Sequence, residues 1–362
     1  MITVRTATPA EWRDWDQMVI KFPNCRIVHR RAWIEWLASC QVGTPLCLVI
    51  ERDGEIVGAS PGLLSRIGPL RLYGSPLPGW QTPAMGPVFN PQRIQTTDLV
   101  AALLAFLESS QGVHHVELLS DILDAEAMKQ LGFRPESVPT YRAALHPSDE
   151  TRTFLQFKDS ARRNVRRATK LGITVKVVES EAIVPEHYAQ VCEVFVRGGH
   201  TVSFSEDRVR QFFRRMKAAD TLLAVSASLP DGTSIATGLF TVDCGELLLW
   251  SWAHRTQYRW FRPTELMTWT VMQRAMAAGC VTFDFMGLGD FKAKFGADLD
   301  LTKQRWVRSR YRWLTSARDL AERGYRWQQG MRGRLARMRM FGREQNGNGS
   351  VADEAERAES VS

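Results

Sequence analysis

A pattern that occurs twice limits what this chain can fold into more than any other feature. In its first occurrence Leu46-Cys47-Leu48-Val49-Ile50 leads to Asp53-Gly54 and then Ile56-Val57-Gly58-Ala59. In its second, Leu222-Leu223-Ala224-Val225 leads through Asp231-Gly232 to Ile235-Ala236-Thr237-Gly238. An Asp-Gly pair between two apolar runs predicts a β-hairpin. Each copy continues into a helix-like segment, residues 98–110 and 264–278. A glycine and an apolar strand follow, Gly112 to Leu118 and Gly279 to Phe285, each with an acidic residue near its end, Glu117 and Asp284. Glycine just past a helical run reads as a C-cap. The loops between these landmarks differ in length, but their order is the same. Ordered recurrence predicts a duplicated unit. The expected class is α/β (mixed α+β): two domains in tandem, each a mixed, largely antiparallel sheet flanked by helices.

The expected division is residues 1–148 for the first domain and 149–315 for the second, which opens with a basic helix over 151–171. A basic amphipathic helix is expected over 316–341 and a disordered polar tail over 342–362. No apolar run reaches the roughly 18 residues of a membrane span. The start, Met1-Ile2-Thr3-Val4-Arg5, lacks the basic-then-apolar order of a signal peptide. The six cysteines form no C-x-x-C pair and have no histidine at ligand spacing. A reduced, cytoplasmic protein without a metal is expected. The net charge of +8 favours acidic partners: phosphates, tRNA or an anionic membrane surface, the last compatible with a peripheral position at the inner face. Nothing points to a stable protein partner.

Three motifs carry a resemblance. The first is Ser160-Ala161-Arg162-Arg163-Asn164-Val165-Arg166-Arg167-Ala168, closing with Lys170-Leu171-Gly172-Ile173. The second is Tyr258, then Pro263, Leu266 and Met267. The third is the run Phe283-Asp284-Phe285-Met286-Gly287-Leu288-Gly289-Asp290-Phe291-Lys292-Ala293-Lys294-Phe295-Gly296. Together they resemble the FemAB group of the GNAT superfamily and its CelD-like acetyltransferase relatives. Leu131-Gly132-Phe133 with the extended stretch to Leu145 is similar to the end of a GNAT domain. The resemblance implies an N-acyltransferase that moves an acyl group from acetyl-CoA or another acyl-CoA to an amine on a sugar, peptide or lipid precursor, in envelope or polysaccharide biosynthesis for many relatives. Thr264 stands where the family has glycine, and neither half carries a clean GNAT phosphate loop. An aminoacyl-tRNA donor, as in FemAB-type ligases, therefore stays open, although no sustained heptad marks the coiled-coil insertion of those enzymes. A non-catalytic module binding nucleic acid or membrane also stays open.

Candidate site residues follow from chemistry and resemblance together. Arg255, Arg259 and Arg262 crowd the loop before the helix that opens at Pro263-Thr264, where free N–H groups suit a phosphate. Arg255, Arg259, Arg262 and Thr264 are the expected donor-binding residues. Asp284 is the candidate base or substrate anchor, against a purely structural acid, which Glu117 in the matching place favours. The resemblance implies that Lys292 stabilises negative charge near the reacting centre. Tyr258 is the candidate general acid, and His254 a candidate substrate contact. Arg163, Arg166 and Arg167 share one face of the basic helix and are expected to grip an acidic substrate. Lys292→Ala and Asp284→Asn are each expected to lower turnover without unfolding. Trp33 and Trp36, at helical spacing, read as core, with Trp80 on a cleft wall.

Overall fold

The structure, a computed structural model, describes residues 1–311, 313–320, 323, 324 and 328. Most of the helix expected over 316–341, and all of the tail expected over 342–362, lie outside the described residues. Asp53 (φ 53°) and Gly54 (φ 84°) both take left-handed backbone and join the strands Leu48–Arg52 and Glu55–Ser60 in two residues. That turn matches the twist of paired strands. In the second half Leu222–Ser228 pairs with Ser234–Asp243 across a longer loop, where Asp231 accepts from the Thr233 amide at 2.8 Å.

Each half next builds one parallel strand pair across a helix. Leu70–Ser75 lies parallel to His115–Ser120 across Thr96–Ser109. Glu246–His254 lies parallel to Thr282–Asp284 across Pro263–Ala277. A parallel pair needs such a crossover, so this confirms that the two halves share a plan. The remaining pairings are antiparallel. The first half divides into a four-stranded and a six-stranded sheet, and the second is built on a seven-stranded sheet.

The two halves exchange their closing strands. Thr140–Ala144, from the first half, is inserted in the second sheet between Thr282–Asp284 and Ala297–Asp300. Gln304–Ser309, from the second half, lies between His115–Ser120 and Arg134–Ser137 in the first. A boundary at 148/149 describes the order of the chain, but the hydrogen-bonded sheets cross it twice.

One apolar core also spans both halves. Trp36 meets Phe212 at 5.2 Å and Trp250 at 5.6 Å between ring centroids, and Phe212 stacks on Trp250 at 4.0 Å. Trp33, Trp36 and Trp80 are all buried in this core. The basic helix, Asp159–Lys170, buries Ala161, Val165 and Ala168 and packs on Pro263–Ala277.

Candidate active site

Parallel pairing in the second half covers only Glu246–Leu248 against Thr282–Asp284. Beyond it the strands part, with Leu249–His254 on one side and the loop from Phe285 on the other. Aromatic rings fill the base of this wedge. Trp252 lies 6.1 Å from Phe285, 5.8 Å from Phe291 and 6.3 Å from Phe295, and Phe285 stacks on Phe295 at 5.9 Å.

At the open end is a cavity of about 320 Å³, whose lining includes His254, Arg259, Arg262, Thr264, Glu265 and Lys294. The helix Pro263–Ala277 begins at its wall. Arg262 precedes the helix with φ 57°, and Pro263 takes the first position, where a missing N–H costs nothing. The free N–H groups of this helical turn make an anion site. The Nε of Arg262 is buried without a partner, so the guanidinium keeps a donor to give. Lys294 pairs with Glu265 at 2.8 Å, and Asn164 of the basic helix donates to the same carboxylate at 3.0 Å. Burial, and next the charge of Arg197, hold His254 below the usual histidine range, so it stays a neutral imidazole near pH 7.

A second cavity, of about 790 Å³, opens between the halves and is lined by Pro78, Arg134, Ser137, Gly287, Leu288 and Arg305 among others. Segment 287–294 thus contributes to the walls of both cavities. Lys292 holds this segment in shape. Its buried Nζ donates to the carbonyl oxygens of Phe285 (3.0 Å), Met286 (2.6 Å) and Gly287 (3.1 Å). Burial draws its ammonium down to about 8, opposed by the Asp284 charge.

The structure does not bring every expected residue to a cavity. Asp284 is 1% exposed and has no oxygen without a partner. One oxygen accepts from Thr140 at 2.7 Å and the Met286 amide at 2.9 Å, and the other accepts from Lys303. Lys303 holds this carboxyl below the usual range although burial opposes it. Its geometry is that of a clamp on the exchanged strands. Arg255 does not line the cavity: Glu186 (2.6 Å) and Glu193 (3.3 Å) take up its guanidinium. Tyr258 packs 6.2 Å from Phe261, against the second core. Arg163, Arg166 and Arg167 are exposed and line neither described cavity, with Arg166 over the Phe154 ring at 6.0 Å. Arg259, Arg262, Thr264 and His254 do come together. Sequence reasoning missed Glu265, Lys294 and Lys303. The alternation of Lys292 and Lys294 with Phe291 and Phe295 was the one available signal, for Lys294.

Fold and family model agree on a GNAT domain in the second half. Residues 156–295 match the family model described as an acetyltransferase (GNAT) domain. No curated protein matches the chain. Among solved structures, FemX is similar at 14% identity over 84% of this chain and 96% of its own, with a TM-score of 0.66. A tandem GNAT protein from the clavulanic acid biosynthesis pathway is similar at 12% identity over 86% and 98%, with a TM-score of 0.50. L-PGS from Bacillus licheniformis is similar at 13% identity over 87% and 96%, also at 0.50. More particularly, then, the chain contains a GNAT acetyltransferase domain over residues 156–295, within a fold shared with FemX and with that tandem GNAT protein. No helix among the described residues is long and apolar enough to cross a membrane.

Proposed function

We propose that the protein transfers an acyl group from an acyl-coenzyme A to an amine on a sugar, peptide or lipid precursor. The observation that carries this reading is the cavity at the N-terminus of Pro263–Ala277, where Arg259, Arg262 and Lys294 add positive charge to the helix end. The donor's pyrophosphate fits that chemistry. The acceptor enters by the cleft between the halves, so that donor and acceptor meet along segment 287–294. The amine attacks the acyl carbonyl, the carbon–sulfur bond breaks, and the thiolate leaves. His254, kept neutral, is available to take the proton released by the amine. Lys292 acts by fixing the loop that separates the two cavities, and Asp284 by anchoring its start.

The aromatic filling of the wedge favours a second donor. With Trp252, Phe285 and Phe295 packed there, little width remains between the strands for a pantetheine arm. An aminoacyl-tRNA would place only its 3′ end in the cavity, with Arg163 and Arg167 free in solvent to meet its backbone.

Thermal unfolding with each donor separates the two readings, because a ligand specific to the folded state raises the melting temperature with its concentration. A shift with an acyl-coenzyme A is expected. Arg259→Ala and Arg262→Ala should each weaken that ligand by about tenfold, the loss of one charge-assisted hydrogen bond. A shift with aminoacyl-tRNA alone reassigns the donor. Binding of neither overturns both readings.

A further inference from the structure

Cys25 lies in the first half, just before the turn Ile27–His29, and Cys244 sits at the tip of the hairpin that joins Ser234–Asp243 to Glu246–His254. Although 219 positions apart in sequence, their sulfur atoms touch at 3.8 Å. Cys244 has φ 49° and reaches Asp243 Oδ2 at 3.4 Å, while Cys25 reaches the Arg26 carbonyl at 3.8 Å. Arg30 stands 3.5 Å from the same Asp243 oxygen, so the two thiols sit beside a cation from one half and a carboxylate from the other. All six cysteines are free thiols.

The surroundings make the two sulfurs unequal. The hydrogen bond from Cys244, and after it His29 and Arg30, draw the Cys25 thiol below the usual range although burial opposes them. Cys244, beside that sulfur and Asp243, is pushed up. Burial pushes Cys47 up to about 12 and Cys280 up to about 11, and raises Cys40 and Cys192. Thiolate character selects which cysteine reacts with a peroxide, and a neighbouring thiol decides whether a disulfide follows. Only Cys25 combines both.

We propose that Cys25 and Cys244 form an oxidisable pair that hydrogen peroxide converts into a disulfide joining the two halves. The Cys25 thiolate attacks one peroxide oxygen, the O–O bond breaks, and hydroxide departs to become water, leaving a sulfenic acid. The Cys244 sulfur then attacks the Cys25 sulfur. The S–O bond breaks, and a second water leaves with the Cys244 proton. Two thiols and one peroxide give one disulfide and two waters, and a dithiol reductant reverses the change. Cys244 leads through Gly245 directly into Glu246–His254, the strand that carries Trp252 and His254 to the donor cavity. The bond therefore ties that strand to the first half.

The test uses the full reduced chain treated with hydrogen peroxide and then denatured for thiol counting and peptide mass mapping. Free thiols should fall from six to four, with a linked peptide pair containing Cys25 and Cys244 that has lost two hydrogens, reversed by dithiothreitol. Cys25→Ser and Cys244→Ser should each abolish the link, and Cys192→Ser should leave it intact. Six thiols surviving treatment, a linked pair of other cysteines, a link between chains, or Cys25 carried to the sulfinic acid without a link would overturn the proposal.

Discussion

Lys303→Met is expected to lower the unfolding free energy by about 3–5 kcal/mol at pH 7, the usual cost of leaving one partner of a buried ion pair uncompensated. Lys303 is 2% exposed and Asp284 1%. Lys303 directly precedes the exchanged strand Gln304–Ser309, and Thr140, the other side-chain donor to Asp284, opens the exchanged strand Thr140–Ala144. One carboxylate thus ties both exchanged strands to the start of the loop at Met286. The pH dependence gives the mechanism a signature. In the wild type the Asp284 pKa is depressed, so its contribution is present above the unfolded value near 3.9 and is lost as pH falls through the folded one. In Lys303→Met burial acts without that cation, and the folded pKa rises above the unfolded one. The variant then regains stability as pH falls from 7 toward 5, where the wild type has nothing to regain from this group. Urea titrations at both values check this. Adding Asp284→Asn to Lys303→Met should recover part of the loss, since neither charge is then stranded. Equal destabilisation at both pH values, with no recovery in the double variant, would show that Lys303 contributes only packing. The same burial bears on Asp284→Asn alone: it is expected to destabilise, rather than to lower turnover in an intact fold.

Glu117 shows that this is a design of the duplicated unit. It occupies the place in His115–Ser120 that Asp284 occupies in Thr282–Asp284, and it too is buried against the exchanged strand, pairing with Arg305 at 2.9 Å. Arg318 reaches it at 3.0 Å and His115 at 2.9 Å. The match between the two acids was legible in the sequence because it lies inside a local pattern of strand, helix and glycine. The hairpins and the crossover helices were legible for the same reason. The exchange was not: Thr140-Tyr141-Arg142-Ala143-Ala144 has the same alternation whichever sheet receives it. Nor were its counter-ions, because Lys303 reads as one more surface lysine until the strand beside it is placed. The arginine-rich loop was legible as a cation cluster only. Which arginines reach the cavity depends on the turn Thr256–Phe261 and on Glu186 and Glu193, carboxylates from a distant helix that claim Arg255. Trp33 and Trp36 read correctly as core, although spacing alone did not reveal that Trp250 of the other half would complete it.

Lys292→Met is expected to reduce kcat on the order of 10²-fold while changing KM little, the penalty typical of misplacing reacting groups by about 1 Å. Lys292 donates to four consecutive carbonyls, Phe285, Met286, Gly287 and, at 3.4 Å, Leu288, in a loop that also carries left-handed backbone at Met286 (φ 46°) and Gly287 (φ 70°). Methionine keeps the unbranched side chain out to Cε but offers no donor, so those carbonyls must turn toward water or toward each other, and Gly287 and Leu288 move at the wall of the cleft between the halves. A residue with a merely structural role would lower stability at every pH without shaping the rate profile. Lys292 titrates near 8, so it carries charge below that value and loses it above. In the wild type kcat should therefore fall as pH rises through about 8, because the charged form holds the carbonyls more strongly. In Lys292→Met that limb should vanish, leaving a low and flatter profile. The measurement is kcat from pH 6 to 9, made with the donor that raises the melting temperature and with circular dichroism to confirm folding. A variant that keeps the limb near 8, or that loses KM and kcat together with its fold, would remove Lys292 from the positioning of the loop.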